Sequence, residues 1–457
     1  MMEIIEINSR IGWRLINDNV VAFNCKNQKI VIWNEAASII WQKLVSGQKY
    51  DQVIKWLSTE YDLSVKIAKK DVDTFLQEAV QMGFLKLDNR HLQVDKHNNA
   101  LGTETEGENV LLAIEMEAIK HLIPFAATFE TTYTCNEKCI HCYMERNLPS
   151  LRLSEIKRIL GELAKERCLF LSLTGGEFFI RKDAIDIVKY ASSLHFVIDI
   201  LSNGTLISEE TATTLAKYSV RRVQVSLYGA TTEIHDSITR LSGSFQKSLD
   251  GIKNLRKAGV KVEIAFPMMQ INFNERYKVK KLTEELDCVL SPSPIITARN
   301  DGSQDTFNLR LSDRQIEEFL ADEDFSALYA GRKPFQDHQF YLGLSDISNA
   351  PPCYSGFNSC AITPSGKVLP CNQLLYEVGD LKGDNFSEIW HNSLGLQYLR
   401  SLIISKLTKC SKCQLLTSCA RCPGLAFLEG SDLLGPSPEN CRITTLNHLI
   451  QNNKERR

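Results

Sequence analysis

The sequence has no apolar run of the roughly 18 residues that a membrane-spanning helix needs. Its most apolar stretch, residues 111–128, is interrupted by Glu115, Glu117, Lys120 and His121. The start of the chain carries acids where a secretory signal carries bases, so we expect a soluble, cytoplasmic protein with no membrane partner. An excess of basic charge is also lacking, because 53 Lys and Arg face 55 Asp and Glu. This balance argues against nucleic acid as the main partner.

Disorder and low complexity are excluded by a composition that is 43% apolar and 24% charged. The 457 residues correspond to roughly three domains of about 150 residues each. Cysteine is what the sequence has in excess, since 14 are present and most of them fall in two groups. A chain of this size does not need disulfides to fold, and clustered thiols in a reducing compartment indicate metal binding.

Residues 1–87 predict a small winged-helix domain of three strands and three helices (β3α3). Three short runs of β-branched and aromatic residues, separated by polar turns, precede residue 34. Three amphipathic helical stripes follow and end at Gly83. Residues 88–109 are polar and lack periodicity, which predicts an exposed linker.

Residues 110–300 alternate between apolar strands and amphipathic helices. Such alternation predicts parallel, right-handed β/α units, and five or six units indicate an α/β fold, a partial (β/α)6 barrel of the TIM type. Residues 301–350 are expected to bridge to an irregular, cysteine-rich domain at 351–457. The strands that the pattern locates are residues 127–133, 169–174, 196–201, 223–227 and 260–266.

Three cysteines, Cys135, Cys139 and Cys142, come directly after the first predicted barrel strand. Active sites of such barrels lie at the carboxyl ends of the strands. Three thiolates can hold three irons of a four-iron, four-sulfur cluster and leave the fourth iron open to a ligand. Zinc is the alternative, but a structural zinc site wants four ligands and this loop adds only His141. An iron–sulfur site is therefore favoured.

The stretch 135–143 is similar to the signature loop of radical S-adenosylmethionine enzymes. The resemblance implies a [4Fe-4S] cluster on Cys135, Cys139 and Cys142, with S-adenosylmethionine on the open iron as the source of a 5′-deoxyadenosyl radical. These three cysteines are the predicted catalytic residues. The resemblance also places His141 beside the bound nucleoside and Tyr143 among the cofactor-binding residues.

Two later turns resemble other motifs of that family. Gly175, Gly176 and Glu177, after the second strand, match the Gly-Gly-Glu motif, which implies that glycine carbonyls and the glutamate bind the cofactor's ammonium group. Phe178 stands where the family usually has proline. Ser202–Asn203, after the third strand, is similar to a turn beside the cofactor, although a plain Asn-Gly turn is the competing interpretation.

Two further cofactor contacts are predicted on the fourth strand and beyond it. Ser226 lies on the strand face opposite to its apolar neighbours, where it can bond ribose hydroxyls. Arg240 resembles the family's arginine for the cofactor carboxylate, an anion that a planar guanidinium suits. A surface salt bridge is the alternative for Arg240.

The cysteines from 353 to 441 resemble the SPASM extension, which implies two auxiliary clusters and hence three [4Fe-4S] clusters in all. A zinc ribbon on two cysteine pairs, 410/413 and 419/422, is the alternative. Six residues separate Cys353 from Cys360, a departure from the family's spacing; if Cys360 were not a ligand, one iron would be free to bind substrate. The resemblance assigns Cys353, Cys360, Cys371 and Cys422 to the first auxiliary cluster, and Cys410, Cys413, Cys419 and Cys441 to the second.

The remaining cysteines, Cys25, Cys168 and Cys288, are expected to be small buried hydrophobes. A hydrogen-atom donor that quenches a substrate radical is the alternative for Cys288.

The N-terminal domain resembles the recognition element of peptide-modifying (RiPP) enzymes, a PqqD-like module. The similarity includes residues 33–37, Trp41 and residues 83–85. It implies that a leader peptide binds as an added strand at about residues 29–33, beside the third helix at about 70–82. A docking or oligomerisation domain is the alternative.

Together these features predict a radical enzyme that abstracts hydrogen from a ribosomally made precursor peptide. A thioether is the favoured product, followed by carbon–carbon cross-linking and epimerisation, and a flavodoxin- or ferredoxin-type protein is the expected electron donor. A second hypothesis keeps the radical chemistry but has a small-molecule substrate, such as a tetrapyrrole side chain or a nucleoside. A third is a non-enzymatic, zinc-stabilised binding protein.

Overall fold

A computed structural model describes residues 5–87, 102–103, 108–144, 149–329 and 346–455. The predicted linker at 88–109 lies almost wholly outside these residues, as does part of the bridging segment. Within the described part of the chain, no helix combines the length and the apolar character that crossing a membrane would require.

The first 87 residues contain the predicted three strands and three helices, with short additions. Asn34 and Ser64 cap the first and third helices through their side-chain oxygens. The indole rings of Trp33 and Trp41 pack 4.7 Å apart at the centre of the domain's core. The elements are β1 (Ile5–Ile7), β2 (Ile11–Ile16), β3 (Asn19–Asn24), β4 (Lys29–Trp33), α1 (Glu35–Val45), α2 (Tyr50–Glu60), α3 (Val65–Gln81) and β5 (Leu85–Leu87).

Strands β2, β3 and β4 form an antiparallel sheet, and β1 pairs separately with β5. A two-residue strand, β6 (Gly102–Thr103), pairs antiparallel with Ile32 and Trp33 on the outer edge of β4. Part of the edge predicted to receive a peptide is therefore already paired with the chain itself.

Six parallel strands follow in chain order, which confirms the predicted α/β partial barrel. The sixth, β12, was not located from sequence because Pro292 interrupts it; proline is tolerated there because β12 is an edge strand. The elements are α4 (Glu108–Lys120), β7 (Ala126–Glu130), α5 (Leu153–Lys165), β8 (Phe170–Thr174), α6 (Ala184–Ser193), β9 (Val197–Ser202), α7 (Glu209–Leu215), β10 (Val220–Ser226), α8 (Thr232–Thr239), α9 (Ser244–Lys257), β11 (Val262–Pro267), α10 (Arg276–Glu285) and β12 (Val289–Ser293).

The C-terminal region extends the barrel sheet rather than forming a separate one. Strand β13 lies parallel to β7, and β14 and β15 continue antiparallel, which gives nine strands in one sheet. The elements are α11 (Asp313–Ala321), α12 (Glu323–Tyr329), β13 (Ser359–Ile362), β14 (Lys367–Leu369), β15 (Gly379–Asp380), α13 (Phe386–Asn392), α14 (Leu394–Arg400), α15 (Pro423–Gly430) and α16 (Pro438–Glu455).

The N-terminal domain packs against the amino ends of the barrel strands. Its sheet shares an apolar core with α4 and with the starts of β8 and β9. Gly12 lies so close to β9 that a Cβ there would be 2.4 Å from a methyl group of Val197. The buried Arg14 donates to the carbonyl oxygens of Leu194 at 2.9 Å and His195 at 3.1 Å. The domain therefore closes the end of the barrel opposite to the carboxyl ends of the strands.

Candidate functional site

The loop that carries the first three cysteines follows β7 at the carboxyl end of the barrel. Its backbone is bound to the end of α8: Lys138 N donates to Thr239 O at 2.9 Å, and Ile140 N donates to Ile238 O at 3.0 Å. These bonds fix the path of the loop across the open end of the barrel.

Arg299 is a second support of this loop that sequence reasoning missed. Its guanidinium donates to the carbonyl oxygens of Cys142 and, at 3.3 Å, of Ile140. An ion pair with Asp305, 2.7 Å away, holds the guanidinium in place. The residue lies in a coil after β12, where an isolated arginine gives no sequence signal.

The three thiols open onto one cavity of about 360 Å³. Burial raises the pKa of Cys135 to about 11 and also raises that of Cys139, because a thiolate is disfavoured away from water. Coordination to a metal has the opposite effect and deprotonates thiols. Seven of the predicted cofactor-binding residues line the same cavity: His141, Tyr143, Gly175, Gly176, Ser202, Asn203 and Ser226.

The two glycines are required by the close approach of the segment between β7 and the cysteines. Gly175 has a φ of +143°, and a Cβ on it would lie 2.1 Å from Thr132 O. A Cβ on Gly176 would lie 2.4 Å from Thr134 O. Only glycine leaves room here, and the exposed backbone forms part of the cavity wall.

Glu177 lies behind this wall and is fully buried. Its carboxylate accepts hydrogen bonds from Phe179 N at 2.9 Å, from Ser202 Oγ at 2.8 Å and from Asn203 N at 2.7 Å. Burial raises its pKa and these bonds act against that shift. In this geometry the carboxylate joins the turns after β8 and β9 and does not line the cavity.

The turn after β9 is also bound to the cysteine loop. Asn203 donates to Asn136 Oδ1 at 2.9 Å, and Asn136 donates to Thr205 Oγ1 at 2.8 Å. The amide of Asn203 also lies 4.0 Å from the sulfur of Cys135. This turn is therefore more than a chain reversal, because its side chains order the loop that carries the thiols.

His141 is half-buried within the loop, and its ring packs edge-on against Tyr228 at a centroid distance of 4.8 Å. Burial lowers its pKa to about 4, so the ring is neutral at physiological pH. Among the described residues, its Nδ1 has no hydrogen-bond partner. A neutral ring with an unused nitrogen on the cavity wall fits the packing role beside a nucleoside.

The structure places Ser226 and Arg240 differently. Ser226, at the end of β10, lines the cavity. Arg240 is exposed in a left-handed conformation at the end of α8 and does not line the cavity. Its backbone neighbour Thr239 contacts the cysteine loop, so only its side chain is directed away from the site.

Four of the C-terminal thiols form one group. Burial raises the pKa of Cys419, and the nearby thiols of Cys410 and Cys413 add to this shift. Burial also raises the pKa of Cys441 to about 11, with smaller contributions from the thiols of Cys419, Cys410 and Cys413. The structure thus places Cys410, Cys413, Cys419 and Cys441, the set that the resemblance assigns to the second auxiliary cluster, near enough to one another for their thiols to interact electrostatically.

A second group contains Cys353, Cys371 and Cys422. Burial raises the pKa of Cys371 to about 12, and the thiols of Cys353 and Cys422 are the next contributors. All three line a cavity of about 600 Å³ that also contacts α4 through Leu111. Cys422 lines the barrel cavity as well, so the two cavities share a wall.

Cys360 is the fourth thiol that the resemblance assigns to the first auxiliary cluster. It lies on β13 paired opposite Ala127 of β7, is 3% exposed, and belongs to the main apolar core. Burial raises the pKa of Cys360 far above its ordinary value, and the thiol of Cys168, rather than that of Cys353 or Cys371, adds to the shift. Strand pairing thus directs this thiol into the barrel's outer core, where it replaces a small hydrophobe.

Of the three cysteines outside these sets, Cys25 and Cys168 are buried, as predicted, and Cys288 is partly buried.

A buried carboxyl group near the cavity was also missed. Glu130 ends β7, is 3% exposed, and accepts a 2.7 Å hydrogen bond from the hydroxyl of Tyr133, which lines the cavity. Burial raises the pKa of Glu130 to about 7. The signal that could have found it is a lone acid ending an otherwise apolar strand.

The donor set therefore fits the cofactors that the resemblance implies. The three loop thiols share a cavity with a glycine backbone wall and with His141, whose buried Nδ1 has no hydrogen-bond partner among the described residues. Sulfur ligands select iron–sulfur clusters or zinc. In the described part of the chain, no three His, Cys, Asp or Glu side chains converge as ligands of a single metal ion would.

Three family models match separate parts of the chain. The Radical SAM superfamily matches residues 129–282, the SPASM iron-sulfur cluster-binding domain matches residues 353–423, and coenzyme PQQ synthesis protein D (PqqD) matches residues 19–85. The three matches follow the same order as the three resemblances seen in the sequence.

Two curated relatives match most of their own length. The AdoMet-dependent heme synthase of Methanosarcina barkeri is 27% identical over 336 residues, which cover 69% of this chain and 95% of that protein. The mycofactocin maturase MftC of Mycobacterium tuberculosis is 29% identical over 332 residues, which cover 69% of this chain and 82% of that protein.

A solved structure shares the fold of most of the chain. Streptococcus suis SuiB bound to the precursor peptide SuiA superposes with a TM-score of 0.59 at 17% identity, over 96% of this chain and 100% of SuiB. That coverage necessarily includes most of residues 5–87. At this identity the similarity shows a common fold.

Proposed function

This chain is a radical S-adenosylmethionine enzyme with a SPASM domain and a PqqD-like domain, and on that premise we propose that it modifies a ribosomally made precursor peptide by hydrogen-atom abstraction. The observation that carries the proposal is the union of a thiol-lined barrel cavity with a PqqD-like domain packed onto the same barrel. A mycofactocin maturase among the relatives, and SuiB with its bound precursor peptide among the structures, support a peptide substrate.

In the barrel, Cys135, Cys139 and Cys142 would hold a [4Fe-4S] cluster, with S-adenosylmethionine against the glycine wall and Ser226. When bound, this pair supplies a 5′-deoxyadenosyl radical that takes a hydrogen atom from the substrate. The neutral ring of His141 packs the nucleoside side of the site without adding charge.

The chain's own residues also order the site and shield it. Arg299 and Glu177 hold the cysteine loop and the turn after β9 through the hydrogen bonds described above. Gln373 and Leu425 of the C-terminal region cover the cavity, which keeps water away from a reactive radical. Arg240 is our proposed partner of the cofactor carboxylate, and this role requires its exposed side chain to turn inward.

We further propose three clusters, with the two auxiliary ones on the thiol groups of the C-terminal region. Cys410, Cys413, Cys419 and Cys441 supply four ligands to one of them. Cys353, Cys371 and Cys422, which line the larger cavity, would supply three ligands to the other and would leave one iron without a protein ligand. The electron for cofactor cleavage would come from a flavodoxin- or ferredoxin-type protein.

A thioether between a cysteine sulfur and a carbon of the peptide is our proposed product. Hydrogen-atom loss from carbon and proton loss from the thiol leave one electron to be removed, and auxiliary clusters beside the cavity suit that task. Carbon–carbon cross-linking places the same demand for an electron acceptor and ranks next. Epimerisation needs a hydrogen-atom donor instead, and it ranks last.

The leader of the peptide is proposed to bind along β4 and α3. Because β6 already pairs with Ile32 and Trp33, the leader would add at the start of β4 or displace β6. Deleting the domain is a poor test, since its core is shared with the barrel. We instead compare Thr74→Trp on α3 with Thr59→Trp on α2, because each threonine hydroxyl donates to the carbonyl oxygen four residues earlier, at 2.9 Å.

Binding of a fluorescent precursor peptide should weaken at least about tenfold in Thr74→Trp, since 1.4 kcal/mol of lost contact is one decade in Kd. Thr59→Trp should bind as the unmodified protein does. Equal affinity in all three proteins would place the leader elsewhere.

The activity is tested with the anaerobically reconstituted, reduced protein and a small cysteine-bearing peptide encoded beside its gene. We expect S-adenosylmethionine to be split into methionine and 5′-deoxyadenosine, and the peptide to lose a pair of hydrogen masses. Cleavage without any change in the peptide would refute the peptide substrate but retain the radical chemistry.

A small-molecule substrate, namely a tetrapyrrole side chain, is the second candidate. It is favoured by the 27% identity to a heme synthase over 95% of that protein. Incubation with porphyrin substrates under the same conditions separates the two, because a peptide-modifying enzyme should leave them unchanged.

A further inference from the structure

Charge is unevenly distributed along the C-terminal region. Residues 389–428 contain no Asp or Glu, although acids slightly outnumber bases in the whole chain. Two arginines of this stretch are used internally: Arg400 donates to the carbonyl oxygens of Gly356 and Trp390, and Arg421 to that of Gly435. The uncompensated positive charge therefore lies on the lysines.

The stretch has three lysines, Lys406, Lys409 and Lys412, which are all exposed, and we call them the lysine patch. Lys406 and Lys412 lie on two short helical turns, residues 404–406 and 410–412, that pack against each other, and Lys409 directly precedes the second turn. In the described part of the chain none of the three forms an ion pair, and Lys406 Nζ donates to Ser401 O at 3.4 Å. Asp432 is the acid of the adjoining turn, and its carboxylate accepts from Leu434 N.

The lysine patch adjoins, in sequence, the most accessible thiol of the protein. All fourteen cysteines lie in the described residues, and Cys413 alone is exposed. It follows Lys412 directly and belongs to the four-thiol group with Cys410, Cys419 and Cys441. A cluster held by this group would come closest to solvent at the lysine patch.

We propose that the lysine patch is the docking surface of a small acidic one-electron carrier protein of the flavodoxin type. The proposal rests on the function proposed above, because it requires a cluster on the four-thiol group. Like-signed, unpaired charge around a redox centre attracts an oppositely charged partner and orients it before contact. Such attraction acts within the Debye length, about 10 Å at 0.1 M salt, so docking should be sensitive to salt.

The electron balance of the step is simple. When the substrate has lost a hydrogen atom and a proton, formation of the new bond releases one electron. The substrate is thereby oxidised, and the carrier in its flavin semiquinone form is reduced to the hydroquinone. No bond in the chain is made or broken, and the four thiols would remain ligands of their cluster throughout.

The test uses full-length, anaerobically reconstituted protein and a purified flavodoxin, with affinity measured by titration calorimetry at low and high salt. The variant carries Lys406→Glu, Lys409→Glu and Lys412→Glu. The matched control carries Lys217→Glu, Lys247→Glu and Lys253→Glu, which change three exposed barrel lysines by the same total charge.

We expect the patch variant to bind flavodoxin at least about tenfold more weakly at low salt and to lose most of its salt dependence, whereas the control changes less than about threefold. Iron content and dithionite-driven cleavage of S-adenosylmethionine should be unchanged in both. Equal weakening in the control, no weakening in the patch variant, or equally tight binding of a random RNA would overturn the docking surface. Absence of dithionite-driven cleavage in the unmodified protein would instead overturn the proposed function.

Discussion

Replacing Cys360 distinguishes a three-thiol from a four-thiol first auxiliary site. Its thiol is 3% exposed in the apolar core beside Cys168, so Cys360→Ala should lower stability without lowering iron content. Removing one buried heavy atom costs about 1 kcal/mol, a small part of a total of about 5–15 kcal/mol. We expect about twelve irons per chain, as in the unmodified protein, because three four-iron clusters remain. Cys353→Ala removes a thiol grouped with Cys371 and Cys422 and should leave about eight irons.

The assay is iron and acid-labile sulfide per chain after anaerobic reconstitution, with electron paramagnetic resonance of the reduced protein to count distinct clusters. Cys168→Ala is the control, since it makes the same truncation in the same core. The reasoning is refuted if Cys360→Ala loses about four irons, the content of one cubane, while Cys168→Ala keeps its full complement.

Three further predictions follow from contacts at the site. Gly176→Ala puts a Cβ 2.4 Å from Thr134 O, so affinity for S-adenosylmethionine should fall about tenfold or more, as measured by equilibrium dialysis. Unchanged affinity would mean that the cysteine loop moves to make room for the added methyl group. Arg299→Ala removes two charge-assisted hydrogen bonds to carbonyl oxygens of the cysteine loop. Since each such bond contributes at most about 1.5–3 kcal/mol, the cluster on this loop should lose its visible absorbance in air about fivefold faster than in the unmodified protein. Burial raises the pKa of Glu130 from 4.5 to about 7, so its carboxyl group makes the fold less stable as the pH rises from 4.5 to 7. Glu130→Gln should therefore raise the free energy of unfolding by up to about 3 kcal/mol at pH 8. Near pH 4.5 the same substitution should leave the free energy of unfolding unchanged. Denaturation curves that give the variant and the unmodified protein the same free energy of unfolding at both pH values would contradict this prediction.

The parts of the site that could be predicted are those whose chemistry is local in sequence. Cys135, Cys139 and Cys142 lie within one loop, and the glycines end a strand, so their spacing alone places them at one edge of the sheet. Backbone crowding, such as that between Gly175 and Thr132, leaves a clear trace because only one residue type is tolerated.

The parts that could not be predicted depend on contacts between distant segments. The pairing of β13 with β7 decides where the thiol of Cys360 points, and nothing in the spacing of the cysteines reports that pairing. The role of Arg299 depends on a coil folding back over a loop more than 150 residues earlier in the chain. The edge strand β12 was missed because Pro292 hides its strand pattern.

The contact between Gly12 and Val197 has a consequence for how the protein comes apart. Strand β9 begins at Val197, beneath the N-terminal sheet, and ends at Ser202, whose hydroxyl bonds Glu177. One six-residue strand therefore packs against the N-terminal domain at its start and lines the barrel cavity at its end. The N-terminal domain and the barrel should therefore not unfold independently of each other. Heating should give a single cooperative transition, and a destabilising change in either unit should lower the melting temperature of both.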